Sequence, residues 1–284
     1  MATLSSDEIR QAVRRALAED VGIGDATTLA TVPAQALARA SMLAREPLVV
    51  AGLELARATF SELSPDIRME PLAADGQRVG KGQVLLRLAG PARALLTGER
   101  TALNFVQRLS GVATLTAQFV AAVGGTRARI LDTRKTTPGW RQFEKYAVAS
   151  GGGQNHRIGL YDMILIKDNH LAALRNEAPN PVAAAVRRAR ESYPHLRVEV
   201  EADTLEQVDQ ATNAMADIIL LDNMTLDELS AAVRLVRGRA LTEASGGVNL
   251  ATVGAIARTG VDFISVGALT HSAPAVDIAL DFEP

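Results

Sequence analysis

From Arg129 onward the chain alternates short apolar runs with amphipathic stretches. The runs are ARIL, MILI, RVEVEA, DIILL, RALTEA and DFISVGA. Each has strand length and an aliphatic character that suits a buried strand. The stretches between several of them carry helix starts. Asn180-Pro181 offers a cap and a proline at the first helical position before VAAAVRRA. Thr204 with Gln207, and Thr225 with Glu228, have capping-box spacing, and Asn249 is placed to cap the next helix. This alternation predicts a parallel sheet with crossover helices, and the number of units predicts closure into a barrel.

The N-terminal part has another rhythm. Ser5 and Glu8 have capping-box spacing, and Ile9, Val13, Ala16 and Leu17 share one helical face, predicting a helix that ends near Asp20. VGIGDATT reads as a glycine-containing loop. Alanine-rich segments lead to Leu48-Val49-Val50, read as a strand, and residues 52–63 read as a second helix. From Ile67 to Leu88, glycine turns separate short strands. The pattern is similar to the half-barrel of lipoyl and biotinyl carriers. Lys81, between Gly80 and Gly82, lacks the flanking residues of their modifiable lysine, so a structural sheet is expected. Residues 92–123 read as helical, with Ser110-Gly111 as the expected break. Gly124-Gly125 then marks a domain boundary.

Polar residues fall at the ends of the apolar runs. The first ends in Asp132-Thr133-Arg134-Lys135 and the second in Lys167-Asp168-Asn169-His170. The third carries Glu199 and Glu201, the fourth ends in Asp222-Asn223, the fifth in Glu243-Ala244-Ser245-Gly246-Gly247, and the sixth in Gly267. In a βα barrel these ends converge on one face, where active sites are built. The glycines after the last two runs would expose backbone N–H groups suited to a phosphate.

Between the first two runs lie Arg134, Lys135, Arg141, Lys145, His156 and Arg157, with three glycines, Gly151 to Gly153, in the middle. So many cations near strand ends repel one another and resist desolvation, and a polyanionic ligand is the simplest offset. Lys167, directly after an apolar run, is expected at the barrel mouth, as an anion partner or a Schiff-base amine. An ion pair with Glu199 or Glu201 is the structural alternative. Glu201 and Asp222 end adjacent strands and could share a hard cation such as Mg²⁺.

Composition narrows the classes. The chain has 284 residues, 48% hydrophobic and 22% charged, with a net charge of −2. That gives no reason to expect nucleic acid or a membrane surface. With no cysteine, disulfides and thiolate sites are excluded. No histidine pair has zinc-ligand spacing, and neither a dinucleotide fingerprint nor a P-loop is present. The N-terminus does not read as a signal peptide and no apolar run is long enough for a membrane span, so a cytoplasmic location is expected.

Several long motifs are specific. DTRKTTPGWRQFEKYAV, GGGQNHRIGLYDMILIKDNH, VEVEADTLEQ, IILLDN, EASGGVN and GVDFISVGALTHSAPAVDI, together with EDVGIGDATT and GERTALNFVQRLSG, span nearly the whole chain. The sequence resembles the quinolinate phosphoribosyltransferases, also called nicotinate-nucleotide pyrophosphorylases (carboxylating). A related molybdenum-operon group shares part of the central motif, but IGLYDMILIKDNH is more similar to the quinolinate enzymes.

The resemblance implies an α/β fold. An N-terminal α/β sandwich domain, residues 1–112 rejoined by the tail 273–284, would precede an incomplete, six- to seven-stranded α/β barrel of the type II phosphoribosyltransferase kind, residues 113–272. It implies a homodimer with a shared site, Mg²⁺ as cofactor, and quinolinate and phosphoribosyl pyrophosphate as substrates. It assigns Arg134, His156, Arg157 and Lys167 to the quinolinate pocket, with Arg100 entering from the partner chain. Lys135 would lie between the two substrates. Glu201 and Asp222 would face the ribose and the metal, directly or through water. Ser245, Gly246, Gly247, Gly267 and His271 would hold the 5′-phosphate. Lys135, Glu201 and Asp222 are the expected catalytic residues. A Schiff-base lyase using Lys167 is the rival enzyme class, and a non-catalytic sensor for a phosphorylated metabolite is the rival outside enzymes.

Overall fold

The computed structural model describes residues 4–283. In chain order the elements begin α1 (Ser6–Val21), α2 (Ala26–Thr31), β1 (Leu37–Ala44), β2 (Leu48–Val49), α3 (Leu53–Leu63), β3 (Arg68–Pro71), β4 (Arg78–Val79), β5 (Val84–Pro91) and α4 (Ala92–Ala122). They continue β6 (Arg129–Leu131), α5 (Arg141–Ser150), β7 (Ile164–Ile166), α6 (Asp168–Ala173), α7 (Pro181–Ser192), β8 (Val198–Ala202), α8 (Leu205–Asn213) and β9 (Ile218–Asp222). The chain closes with α9 (Leu226–Val236), β10 (Leu241–Ser245), α10 (Val253–Arg258), β11 (Phe263–Ser265), α11 (Ala268–His271) and β12 (Ile278–Phe282). They fall into two compact units. One holds Met1–Ala117, Gln142–Gly152 and Ser272–Pro284, and the other holds Gln118–Arg141 and Gly153–His271. The segment Gln142–Gly152 lies within residues 113–272, the range expected for the barrel.

The first unit is built on an antiparallel sheet of order β12-β1-β5-β3. Alternation along β1 buries Ala40, Met42 and Ala44, which meet Leu86, Leu88 and the tail residues Ile278 and Leu280 in one core with Phe60 and Leu95. Ser5 caps α1 as expected, accepting from the Glu8 N–H at 3.2 Å.

Two expectations are corrected here, and one segment left unassigned by its pattern is placed. VGIGDATT is not all loop. Asp25 accepts the Thr28 N–H at 3.0 Å and starts α2. LARASMLA is a strand although alanine and arginine favour helix, because β5 and β12 pair with it on both sides. Finally, α4 runs unbroken through Ser110-Gly111. Gly111 serves close approach instead, since a Cβ there would collide with the Pro274 carbonyl oxygen. Ser110 Oγ accepts the Ala51 N–H at 2.9 Å, which ties α4 to the chain before α3.

The second unit carries all six apolar runs as strands of one parallel sheet, in the order β6-β11-β10-β9-β8-β7. A single parallel bridge from Leu131 to Gln154 extends it beyond β6. Among the described residues β7 has no ladder partner on its far side, so the barrel is incomplete. The caps read from sequence recur at α7, α8 and α9, where Asn180, Thr204 and Thr225 accept N–H groups two or three residues into each helix. Asn249 differs. Its Oδ1 accepts from Ala251 and Thr252 in a turn that precedes α10, and the helix itself begins later, at Val253.

Candidate active site

Strand side chains alternate, so every second residue of each strand faces the barrel interior. The register sets Leu165 beside Glu199, Glu199 beside Ile218, Glu201 and Glu243 beside Leu220, and Ser245 beside Asp222. The inward set is therefore Leu165 and then Lys167, Glu199 and Glu201, Leu220 and Asp222, Glu243 and Ser245, and Ser265. The opposite set, Val198, Val200 and Ala202 on β8 for example, is buried and apolar. All of the inward set but Glu199 line a pocket of about 410 Å³, joined by Thr133, Arg134, Lys135, His156 and Arg157 from the two loops after β6 and Gln154.

Lys167, Glu201 and Asp222 at the rim are partnered. Lys167 Nζ lies 3.1 Å from Glu201 Oε2, with the lysine side chain 47% exposed, so this is a rim pair and not a buried one. Asp222 Oδ2 accepts from Asn223 Nδ2 at 2.6 Å. Asn223 is itself in the left-handed region, φ 53°, and donates its N–H to the Ser245 carbonyl at 2.9 Å. Its side chain packs on Gly246, where a Cβ would collide with Asn223 Oδ1. Gly246 (φ 95°) and Gly247 (φ 59°) take conformations that L side chains rarely adopt. Gly267 is approached by His271 Nε2 and the Lys135 stem, and Thr270 Oγ1 donates to the Lys135 carbonyl at 2.7 Å. The loop after β11 thus holds Lys135 from behind.

Deeper in the barrel is a second cluster. His156 is anchored by its backbone N–H, which donates to the fully buried Asp132 at 2.8 Å. Its Nε2 lies 3.0 Å from Glu199 Oε2 and 3.6 Å from Glu243 Oε2. Its Nδ1 accepts the Arg157 N–H at 2.8 Å. Burial raises the Glu199 carboxyl to about 7. Burial, with the nearby Glu199 charge, raises Glu243 to about 8. Burial and the neighbouring Arg134 cation lower Arg157. Arg157 Nη1 donates to the Met163 carbonyl at 3.3 Å.

Of the residues expected at the site, Arg134, Lys135, His156, Arg157, Lys167, Glu201, Asp222 and Ser245 come together in this pocket. Gly246 and Gly247 follow β10, Gly267 follows β11, and His271 ends α11. Arg100 is exposed on α4 in the first unit and is not among the pocket-lining residues. Two cations of the central stretch do other work. Arg141 donates to Thr136 Oγ1 and the Ile158 carbonyl, both at 3.1 Å, and Lys145 is fully buried on α5. Thr133, Glu199, Asn223 and Glu243 were expected on the strand-end face without an individual task, apart from Glu199 as a possible partner of Lys167, and Ser265 was not singled out. A signal existed for the two glutamates: each stands two residues before a rim residue, on the same strand face.

Hard carboxylate oxygens from adjacent strands, facing cations from neighbouring loops across one pocket, define an α/β-barrel enzyme for an anionic substrate. Residues 25–110 match the family described as quinolinate phosphoribosyl transferase, N-terminal domain, and residues 112–281 match its C-terminal domain. The chain belongs to the quinolinate phosphoribosyltransferase family. It is 47% identical over 281 residues to the nicotinate-nucleotide pyrophosphorylase (carboxylating) of Mycobacterium leprae, covering 97% of each chain. It is 41% identical over 275 residues to the probable enzyme of the same name from Bacillus subtilis, covering 96% of this chain and 93% of that one. The structure of the nicotinate-nucleotide pyrophosphorylase from Francisella tularensis superposes with a TM-score of 0.93 at 39% identity, over 99% of this chain and 98% of that one. Among the described residues no helix is long and apolar enough to cross a membrane.

Proposed function

We propose that this chain joins quinolinate to the ribose of 5-phosphoribosyl 1-pyrophosphate and releases pyrophosphate and CO₂, leaving nicotinate mononucleotide for NAD biosynthesis. The observation that carries this is the meeting of Arg134, Lys135, Arg157 and Lys167 with Glu201 and Asp222 in one pocket. Simple anion binding has no use for the two acids.

Each part of the wall has a task in this reading. Arg134, Arg157 and Lys167 bind the two carboxylates of quinolinate, with His156 in the same wall. Arginine suits planar carboxylates, and lysine supplies a compact charge. Lys135 lies between the pyridine and the donor. The ring nitrogen attacks the ribose carbon as pyrophosphate leaves, and positive charge develops on the sugar. Glu201 and Asp222 stabilise that charge and orient the ribose hydroxyls. Ser245, Gly246, Gly247, Gly267 and His271 hold the 5′-phosphate. The ribosylated nitrogen is cationic, so the electron pair left at the ring carbon by loss of CO₂ is stabilised next to it until that carbon takes up a proton from water. The protein needs chiefly to position charges and exclude water.

Glu201 and Asp222 offer hard oxygen donors on adjacent strand ends, a set that suits Mg²⁺. When bound, the ion neutralises the departing pyrophosphate. The reading also includes a cytoplasmic homodimer in which Arg100 of one chain completes the pocket of the other. A Schiff-base role for Lys167 is less well supported, because its Nζ is engaged by Glu201 Oε2 at 3.1 Å. The test is incubation of the purified protein with carboxyl-labelled quinolinate, the donor and Mg²⁺. Labelled CO₂ and mononucleotide in equal amounts are expected. Donor binding without CO₂ release would favour a sensor instead.

A further inference from the structure

Three buried groups in the barrel have no assigned step in the reaction above: the carboxyls of Glu199 and Glu243, and the imidazole nitrogens of His156. Their polar atoms all lie within 4.8 Å of one another. Glu199 is 0% exposed and Glu243 1%. As bare carboxylates, their four oxygens have no hydrogen-bond donor in good geometry. Buried carboxylates in that position need either a cation or protons.

The histidine distinguishes these. Nδ1 of His156 accepts the Arg157 N–H at 2.8 Å. A ring nitrogen that accepts carries no proton, so the proton of the neutral imidazole sits on Nε2. Nε2 then has no lone pair to offer a metal. A metal-bound histidine does the reverse, donating from its outer nitrogen. The cluster is therefore ordered around protons, with the protonated Nε2 lying against the two carboxyl groups, 3.0 and 3.6 Å from the nearest oxygen of each.

The consequence for the pocket is indirect. Both nitrogens of His156 face protein groups, so the ring can meet substrate only through its face or edge. What it holds is the backbone of Arg157, and with it the start of a guanidinium side chain that lines the pocket. We propose that Glu243 and Glu199 are positioning residues, which through the fixed ring of His156 hold Arg157 in register with the substrate carboxylate. His156 is then an anchor for the cationic wall and not one of its charges. The surroundings agree with this. Arg197 and Glu201 flank Glu199 along β8, Ser265 faces Glu243 from β11, and Ile218 and Leu220 of the intervening β9 are apolar. Among the described residues the groups beside the carboxyl pair include the Arg197 cation and the two residues that the pair would position, His156 and Arg157.

The inference rests on the proposed reaction, and its test separates the two. The full-length protein with ¹⁵N-labelled histidine is studied by NMR, with and without quinolinate. His156, assigned by its loss in His156→Asn, is expected to show the Nε2–H tautomer and to keep it when quinolinate binds. Glu243→Ala is expected to raise the KM for quinolinate about tenfold with kcat and the donor KM near wild type, the pattern of lost uniform binding. Glu243→Gln, a neutral isostere of the protonated acid that fills the same place beside Nε2, is expected to recover most of that loss. A purely structural role would instead lower the melting temperature and the active fraction without touching KM. The Nδ1–H tautomer, an imidazolium ring, a switch on binding quinolinate, or an unchanged quinolinate KM in Glu243→Ala would each overturn the inference. Should Glu243→Ala fail to fold, the wild-type spectra still decide it. Failure of wild-type protein to bind quinolinate at all would refute the proposed reaction, a result distinct from any of these.

Discussion

The ammonium of Lys167 and the carboxylate of Glu201 face each other at 3.1 Å across neighbouring strands of the barrel mouth. Each is proposed to meet a different substrate, so the pair must open as the site fills. Hydrogen bonds to charged groups contribute about 1.5–3 kcal/mol each, which corresponds to roughly a 10- to 100-fold effect on affinity. Lys167→Ala should therefore raise the quinolinate KM by about that factor. Steady-state kinetics at saturating donor measure it, and an unchanged KM would remove Lys167 from the quinolinate wall.

Lys135 and Arg157 line the pocket while burying little apolar surface of their own. Lys135→Ala or Arg157→Ala should cost at least about 100-fold in kcat/KM, in line with removal of one preorganised charge partner. Melting temperatures should stay within a few degrees of wild type, because no core contact is lost. Near-normal turnover by either purified variant would sink the assignment.

Gly246 combines φ 95° with a side-chain neighbour, Asn223, that leaves no room for a Cβ. Gly246→Ala should displace the loop after β10 together with Asn223, which steadies Asp222. The donor KM should rise about tenfold or more while the quinolinate KM changes little, since one binds the displaced loop and the other does not. Equal effects on both would place the phosphate elsewhere.

Glu243 titrates near 8 in the folded protein because burial and Glu199 disfavour its ionised form. The folded state thus keeps a proton that the unfolded chain releases near the ordinary glutamate value. The stability this contributes is fully present below that ordinary value and is lost as pH rises through about 8. Between about pH 6 and 9 the melting temperature of wild type should fall, and Glu243→Gln, which has no such proton, should show a shallower fall. Parallel pH–melting curves would contradict the raised value.

Arg100 stands exposed on α4, and its proposed role is in a partner's pocket. Mixing Arg100→Ala chains with Lys135→Ala chains, each inactive, should give heterodimers that recover part of the activity through one intact site. No recovery in verified heterodimers would argue against a shared site.

Much of the barrel was legible because its strands are defined by local pattern. Six apolar runs are six strands, and Asn180, Thr204 and Thr225 cap the helices that their spacing announced. LARASMLA was not legible, since its strand state is imposed by partners far away in sequence, one of them in the C-terminal tail. Gly111 misled for a related reason. A glycine signals a helix break when read locally, yet here it admits the Pro274 backbone. In the site, charged residues from several strand ends meet in one pocket, but Lys145 and Arg141, equally cationic and in the same stretch, do not line it: Lys145 is buried on α5 and Arg141 closes a loop.

The sequence by itself determined the barrel strands, the gathering of acids and cations at their C-terminal ends, and the family. These follow from short-range periodicity and from chemistry carried in contiguous motifs. Only the tertiary structure decided which charges face one cavity, which groups the two nitrogens of His156 face, and that Glu199 and Glu243 meet beside that ring. Those outcomes depend on strand register and on hydrogen bonds between residues far apart in the chain, and no local pattern encodes a distance across a sheet.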